Sequence, residues 1–251
     1  MTAKSEGYVM AYTSWRGVVG VIKPGRGSGS LEEMIRLLPE GIGVIPLHNT
    51  VKEGKLQEFY DMMAGYERMV AELAEQEVNL IHPEGTPSFM LKGWDGEARL
   101  IAGWERKFGI PMFTSGQCQV HAAKALKAKN LIHIRYTTWD KGDKTTQGYF
   151  RDAGVPIKTT ARLDVAFNEA GKLSGEQIYG HIKKAFLDAK GGGGIYIQGS
   201  GWDTMSIIAM LEQDLGVPVI SPVPARLWEI QKRLHVRQPI MGRGILLREL
   251  P

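Results

Sequence analysis

The chain is poor in cysteine, with Cys118 alone among 251 residues. One thiol can form neither an intrachain disulfide nor a cysteine-based zinc cluster, so stability must come from packing, and a reducing, cytoplasmic setting is expected. Long apolar runs are also missing: nothing approaches the roughly 20 residues of a membrane span, and MTAKSEGYVMAYTSWRG lacks the apolar stretch of a signal peptide. No membrane partner is expected. The net charge of +4 is carried by Lys and Arg scattered among acids, with no basic block, which argues against a nucleic-acid partner and leaves small acidic molecules. With 43% hydrophobic and 23% charged residues, the chain has a globular composition and enough length for one large domain or two small ones.

What is there is an alternation of short apolar runs with helical patterns. GVVGVI (17–22), GIGVIPL (41–47), VNLIH (78–82) and IPMFT (110–114) read as strands, separated by helices over 30–40, 55–76 and 94–109. The second half repeats this with strands at 131–136, 155–163, 194–198 and 217–221, and helices near 144–153, 176–190, 204–215 and 225–234. Such order predicts an α/β fold with parallel sheets. KFGIPMFTSGQCQVHAAKAL (107–126) also echoes DLGVPVISPVPARLWEIQKRL (214–234), which suggests a duplicated unit. The expectation is two pseudo-symmetric, doubly wound halves of four parallel strands, 1–118 and 119–219, with 220–251 packing back on the first and the site in the cleft between them.

Two turns stand out. NLIHPEGTPSFM (79–90) and GIYIQGSGWDTM (194–205) each run from strand letters into a glycine-containing polar turn. Loops and helix N-termini gather at the carboxyl ends of parallel strands, where backbone N–H groups and hydroxyls can hold a carboxylate. Glu84, Asp203, His82 and His48 are acid or base candidates near these turns, and Asp203 is equally suited to capping a helix from Thr204. The glycines of PGRGSGS (24–30) fit neither G-x-G-x-x-G nor a P-loop, so an anion-contacting loop is preferred to a nucleotide site, with Arg26 placed to pair with a second carboxylate. Trp139 and Trp202 could wall the site. Cys118 reads as a small buried helix residue.

GVIKPG, EGTPSF, Tyr136 after LIHIR, and QGSGWDT followed by LGVPVISPVPARLW together resemble the arylmalonate decarboxylase and maleate isomerase branch of the aspartate/glutamate racemase superfamily. The resemblance spans nearly the whole chain. It implies a cofactor-independent enzyme with its active site between two α/β halves. It also implies that Thr86, Tyr136, Ser200 and Gly201 bind the substrate carboxylate, and that Gly85 and Gly199 stand where relatives carry catalytic cysteines. Racemases and maleate isomerases use two such thiols and arylmalonate decarboxylases one, at the second turn; here both positions are glycine. The reading is therefore a lyase or isomerase acting on a small carboxylate or dicarboxylate through an enediolate-like oxyanion, with a non-cysteine acid or base. Alternatives are a non-catalytic carboxylate-binding or regulatory protein, a hydrolase using Ser200 or an activated water, and a nucleotide-dependent oxidoreductase using the 24–30 loop. No metal is called for, and a homo-oligomer stays open.

Overall fold

GVVGVIK, seven residues rich in β-branched side chains, forms the central strand of the first sheet, β1 (Gly17–Lys23). In a computed structural model that describes residues 14–24, 29–49, 51–53, 55–136, 142–166 and 169–251, it lies between β2 (Ile42–His48) and β3 (Leu80–Pro83), parallel to both. The second sheet has the order β5-β4-β6-β7, also parallel, built from β4 (Leu131–Tyr136), β5 (Ile157–Leu163), β6 (Ile195–Ile197) and β7 (Val219–Ile220). Helices α1 (Gly29–Leu37), α2 (Leu56–Glu75), α3 (Thr86–Met90), α4 (Trp94–Phe108) and α5 (Ser115–Ala125) belong to the first half of the chain. The second half holds α6 (Gly142–Asp152), α7 (Gly175–Asp188), α8 (Ile208–Leu215), α9 (Pro222–Arg233) and the short α10 (Ile245–Glu249).

The α/β class with two parallel sheets is as the alternation predicts, but the first sheet is a strand short. IPMFT contributes only an isolated bridge, Met112 beside Ile81. Ile81 still donates to the Pro111 carbonyl and accepts from Phe113 N–H, so the segment marks the fourth strand position without extending along it. Pro111 has no N–H to donate to a ladder, which limits pairing there.

Internal duplication reaches individual hydrogen bonds. Met112 N–H donates to the Glu105 carboxylate at 2.8 Å, and Val219 N–H donates to Glu212 at 3.1 Å, each across seven residues. In both copies the helix ends on a left-handed glycine, Gly109 or Gly216, whose N–H bonds the carbonyl of that same glutamate. The helices that follow, α5 and α9, pack on each other, and α9 also contacts α1. One apolar cluster consequently joins Val19, Val21 and Leu80 of the first sheet to Ile132, Ile134 and Ile195 of the second, by way of Val120, Ala123, Ala225 and Leu227. Among the described residues no helix is long and apolar enough to cross a membrane.

Candidate functional site

Each sequence-predicted turn leaves the carboxyl end of its strand on a left-handed glycine. Gly85, at φ +121°, ends β3 and leads into the five-residue α3, with Thr86 buried at its first position. Gly199, at φ +97°, follows β6, with Ser200 half-buried and Gly201 exposed after it. These backbones favour glycine outright, and each is faced by a tyrosine. The Tyr66 hydroxyl, from α2, donates to the Glu84 carbonyl and fills the space a Cβ on Gly85 would enter. Tyr136, at the end of β4, lies against the second turn: a Cβ on Gly199 would fall 2.7 Å from its Cε1, and one on Gly201 2.9 Å from its hydroxyl. Burial pushes the Tyr136 phenol up to about 12, opposed by a hydrogen bond with the Gly201 backbone, so it stays a neutral donor at physiological pH. Trp202 stands edge-on to Tyr136 at 5.0 Å and donates its indole N–H to the Gly199 carbonyl at 2.9 Å.

The helix foreseen from Thr204 begins only at Ile208. Asp203 instead ties the intervening turn, accepting from Ser206 N–H at 3.3 Å and from the Ser206 hydroxyl at 2.9 Å. Thr204 is bonded through its hydroxyl to that of Ser221, the residue preceding α9, at 2.9 Å. That bond anchors the second turn to α9.

The same helix reaches the first turn. Arg226, fully buried, forms an ion pair with the buried carboxylate of Glu84. Its Nη1 also touches Met34 Sδ of α1 at 3.9 Å, while its Nε has no hydrogen-bond partner among the described residues. Burial lowers the Arg226 guanidinium to about 10, with the Glu33 charge working the other way. Glu33, half-buried on α1, has its carboxyl raised by burial and by Asp203 against the pull of Arg226 and Arg243. Glu33 and α9 thus electrostatically connect residues of both turns.

Beside them stands a residue that sequence reasoning passed over. Val19, Val21 and Lys23 alternate onto one face of β1, and the register of Ile22 with Pro83, continued by Glu84 N–H to the Ile22 carbonyl at 2.9 Å, brings Glu84 alongside Lys23. Lys23 is 4% exposed and donates from Nζ to Ser30 Oγ of α1 at 2.7 Å. Desolvation, then the Arg226 charge, lower its amine to about 8. A lysine closing an otherwise apolar buried strand was the available signal.

The remaining candidates fall elsewhere. His82 is fully buried in mid-sheet beside Val21, its ring stacked on Phe113 at 4.4 Å and its Nδ1 on the Phe113 carbonyl at 2.9 Å. Burial and Arg226 lower it to about 3, so it is neutral and sits behind the turn. His48 ends the edge strand β2, exposed. Cys118 is buried in α5, donates to the Ser115 carbonyl at 3.3 Å, and has its thiol raised well above the usual range by burial and by Glu229 and Glu97. Arg26 and Trp139 lie outside the described residues. A surface depression of about 720 Å³ is lined by the later turns of α5 and α9, including His121, Trp228 and Arg233, away from the turns that adjoin the starts of those helices.

The fold has counterparts among known proteins. The sequence profile of the arylmalonate decarboxylase family matches residues 31–247. The chain belongs to the arylmalonate decarboxylase family. Solved structures share the fold at low identity. Maleate isomerase Iso from Pseudomonas putida S16 superposes with a TM-score of 0.82 at 20% identity, over 94% of this chain and 99% of that one. A double mutant of arylmalonate decarboxylase in its liganded form gives 0.84 at 17% identity, over 93% and 99%. A cysteine-to-serine mutant of Nocardia farcinica maleate cis-trans isomerase, with a covalently bound succinylcysteine intermediate, gives 0.83 at 20% identity, over 93% and 98%. Among curated protein sequences none matches the chain.

Proposed function

We propose that this family member is a cofactor-independent lyase or isomerase that binds a small carboxylate between the two glycine turns and stabilises an enediolate-like oxyanion. The observation that carries this reading is the second turn itself, where the Tyr136 phenol, kept neutral by burial, is packed against Gly199 and Gly201 beside Ser200. Thr86 occupies the corresponding place after Gly85, and α9 braces both turns through Ser221 and Arg226. Hydroxyls and backbone N–H groups held in place before the substrate arrives stabilise charge as it develops, without reorganisation at the moment of reaction.

The isomerase neighbour carries its intermediate on a cysteine, and this chain is read as working without one. Gly85 and Gly199 offer no thiol, and Cys118 is inaccessible within α5 with its thiolate disfavoured. Glu84 is the expected carboxyl nearest the first turn, but its ion pair with Arg226 commits it to charge balance. The substrate class follows from the clamp: a small acid, with malonates and maleate as first probes.

Incubation with malonate, methylmalonate, phenylmalonate and maleate, followed by proton NMR, tests the reading, alongside thermal shifts with each acid. Thr86→Ala and Ser200→Ala are expected to lower kcat/KM by about 10²-fold each, the effect of deleting one oxyanion donor. Unaltered kinetics in both would refute the clamp. Acids that raise the melting temperature yet are never converted would support instead a carboxylate-binding protein, a reading favoured by the two bare glycines.

A further inference from the structure

A reaction through an enediolate needs a group that moves a proton, and the acids and bases that the sequence offered beside the turns are otherwise engaged. Glu84 is paired with Arg226, His82 faces Phe113, Asp203 ties the turn at Ser206, and Cys118 is enclosed in α5. Lys23 is not spent in this way. Its amine has a neutral hydroxyl, Ser30, as hydrogen-bond partner and feels the charge of Arg226 from α9, which in turn faces Glu84 at the end of β3 and the charge of Glu33 on α1. The residue after it, Pro24, lies 3.8 Å from the point a Cβ on Gly85 would occupy, so the end of β1 abuts the first turn.

We propose that Lys23 is the proton-transferring residue of this site, taking the part that the absent thiols would play; the proposal rests on the carboxylate-clamp reading above. An amine buried beside a guanidinium gives up its proton more readily than a solvated lysine, and at about 8 both of its forms are populated near neutrality. The Arg226–Glu84 pair has a positioning role: it fixes the guanidinium where its charge acts on the amine. For decarboxylation of a malonate, the C–COO⁻ bond breaks, its electron pair passes into the enediolate held by the turns, and CO₂ leaves. The enediolate then forms a C–H bond with a proton from the Lys23 ammonium, and the resulting amine is reprotonated by solvent.

The test uses the full chain labelled with carbon-13 lysine, compared with Lys23→Arg to identify the Lys23 signal. That signal is expected to titrate near pH 8, below the value of about 10.4 for a free lysine, and to move when millimolar malonate is added. On the converted acid, Lys23→Arg is expected to lose about 10²-fold or more in kcat while malonate still raises its melting temperature, and Lys23→Ala is expected to regain turnover with added ethylamine. A Lys23 signal that titrates near the free-lysine value of about 10.4, or a Lys23→Arg enzyme within about tenfold of wild-type kcat, overturns the proposal. Malonate that fails to stabilise the wild type marks failure of the clamp reading; malonate that binds without moving the Lys23 signal marks failure of Lys23 alone.

Discussion

Tyr136 stands where a side chain on Gly199 would have to go. The ring edge is 2.7 Å and the hydroxyl 2.9 Å from the position of a Cβ there, and the glycine is held at φ +97°. The second turn is therefore shaped around a phenol. Any residue with a Cβ at 199 meets both a steric and a conformational penalty.

Gly199→Ala should accordingly cost about 1–3 kcal/mol of stability and push Tyr136 off the turn. Urea denaturation and a malonate titration check it. An alanine variant with wild-type stability and affinity would contradict the contact.

Separating Arg226 from Glu84 should be severe, because each partner left alone is a charge in a dry interior. Arg226→Met or Glu84→Gln is expected to destabilise by about 3–5 kcal/mol, and the double variant by less than the sum. Equilibrium unfolding of all four proteins in the cycle measures the coupling. Additive losses would mean that the pair is not an energetic unit.

Glu97 supplies a stability effect on the alkaline side. It is fully buried on α4, and burial raises its carboxyl to about 7. Below about 4.5 the group is protonated whether folded or unfolded. Between about 4.5 and 7 only the folded state keeps the proton, so stability falls as pH rises, by about 3 kcal/mol in all. Glu97→Gln should flatten this slope and melt higher than wild type at pH 8, which calorimetry across that range would show.

His82 and His133 act in the acid direction. Both are fully buried and lowered to about 3, chiefly by desolvation; His133 is also held by Thr160 at 3.1 Å and Gln198 at 2.8 Å. Their contribution is complete above about 6.5, where the unfolded histidines are neutral too, and is lost as pH falls toward 3 because only the unfolded state takes up protons. Each should remove up to about 1.4 kcal/mol per pH unit within that window. Urea midpoints between pH 7 and 4 should decline in wild type and less steeply in His133→Gln; equal slopes would exclude the histidine as the cause.

Much of the architecture was legible because strand and helix periodicity is local. GVVGVIK and LIHIRY are strands wherever they are buried, and the echo between 107–126 and 214–234 correctly announces a repeat. The two glycine turns could be read for the same reason, since a strand that runs into Gly plus hydroxyls must turn there. Local signals failed where pairing decides: IPMFT has strand composition yet forms a single bridge, and the segment after Thr204 coils before α8 begins.

The amino-acid order by itself determined the α/β class and the duplication and marked the two glycine turns, all properties of short windows, whereas the burial of Cys118 belongs to the tertiary structure. Only the tertiary structure decided which charges meet. Lys23, Glu84 and Arg226 belong to β1, the end of β3 and α9, and nothing in their spacing says that they come together as one buried cluster. They converge because α9 must bury its apolar face against α5 and α1, and that packing carries Arg226 to the edge of the first sheet, where an unpaired charge could not remain.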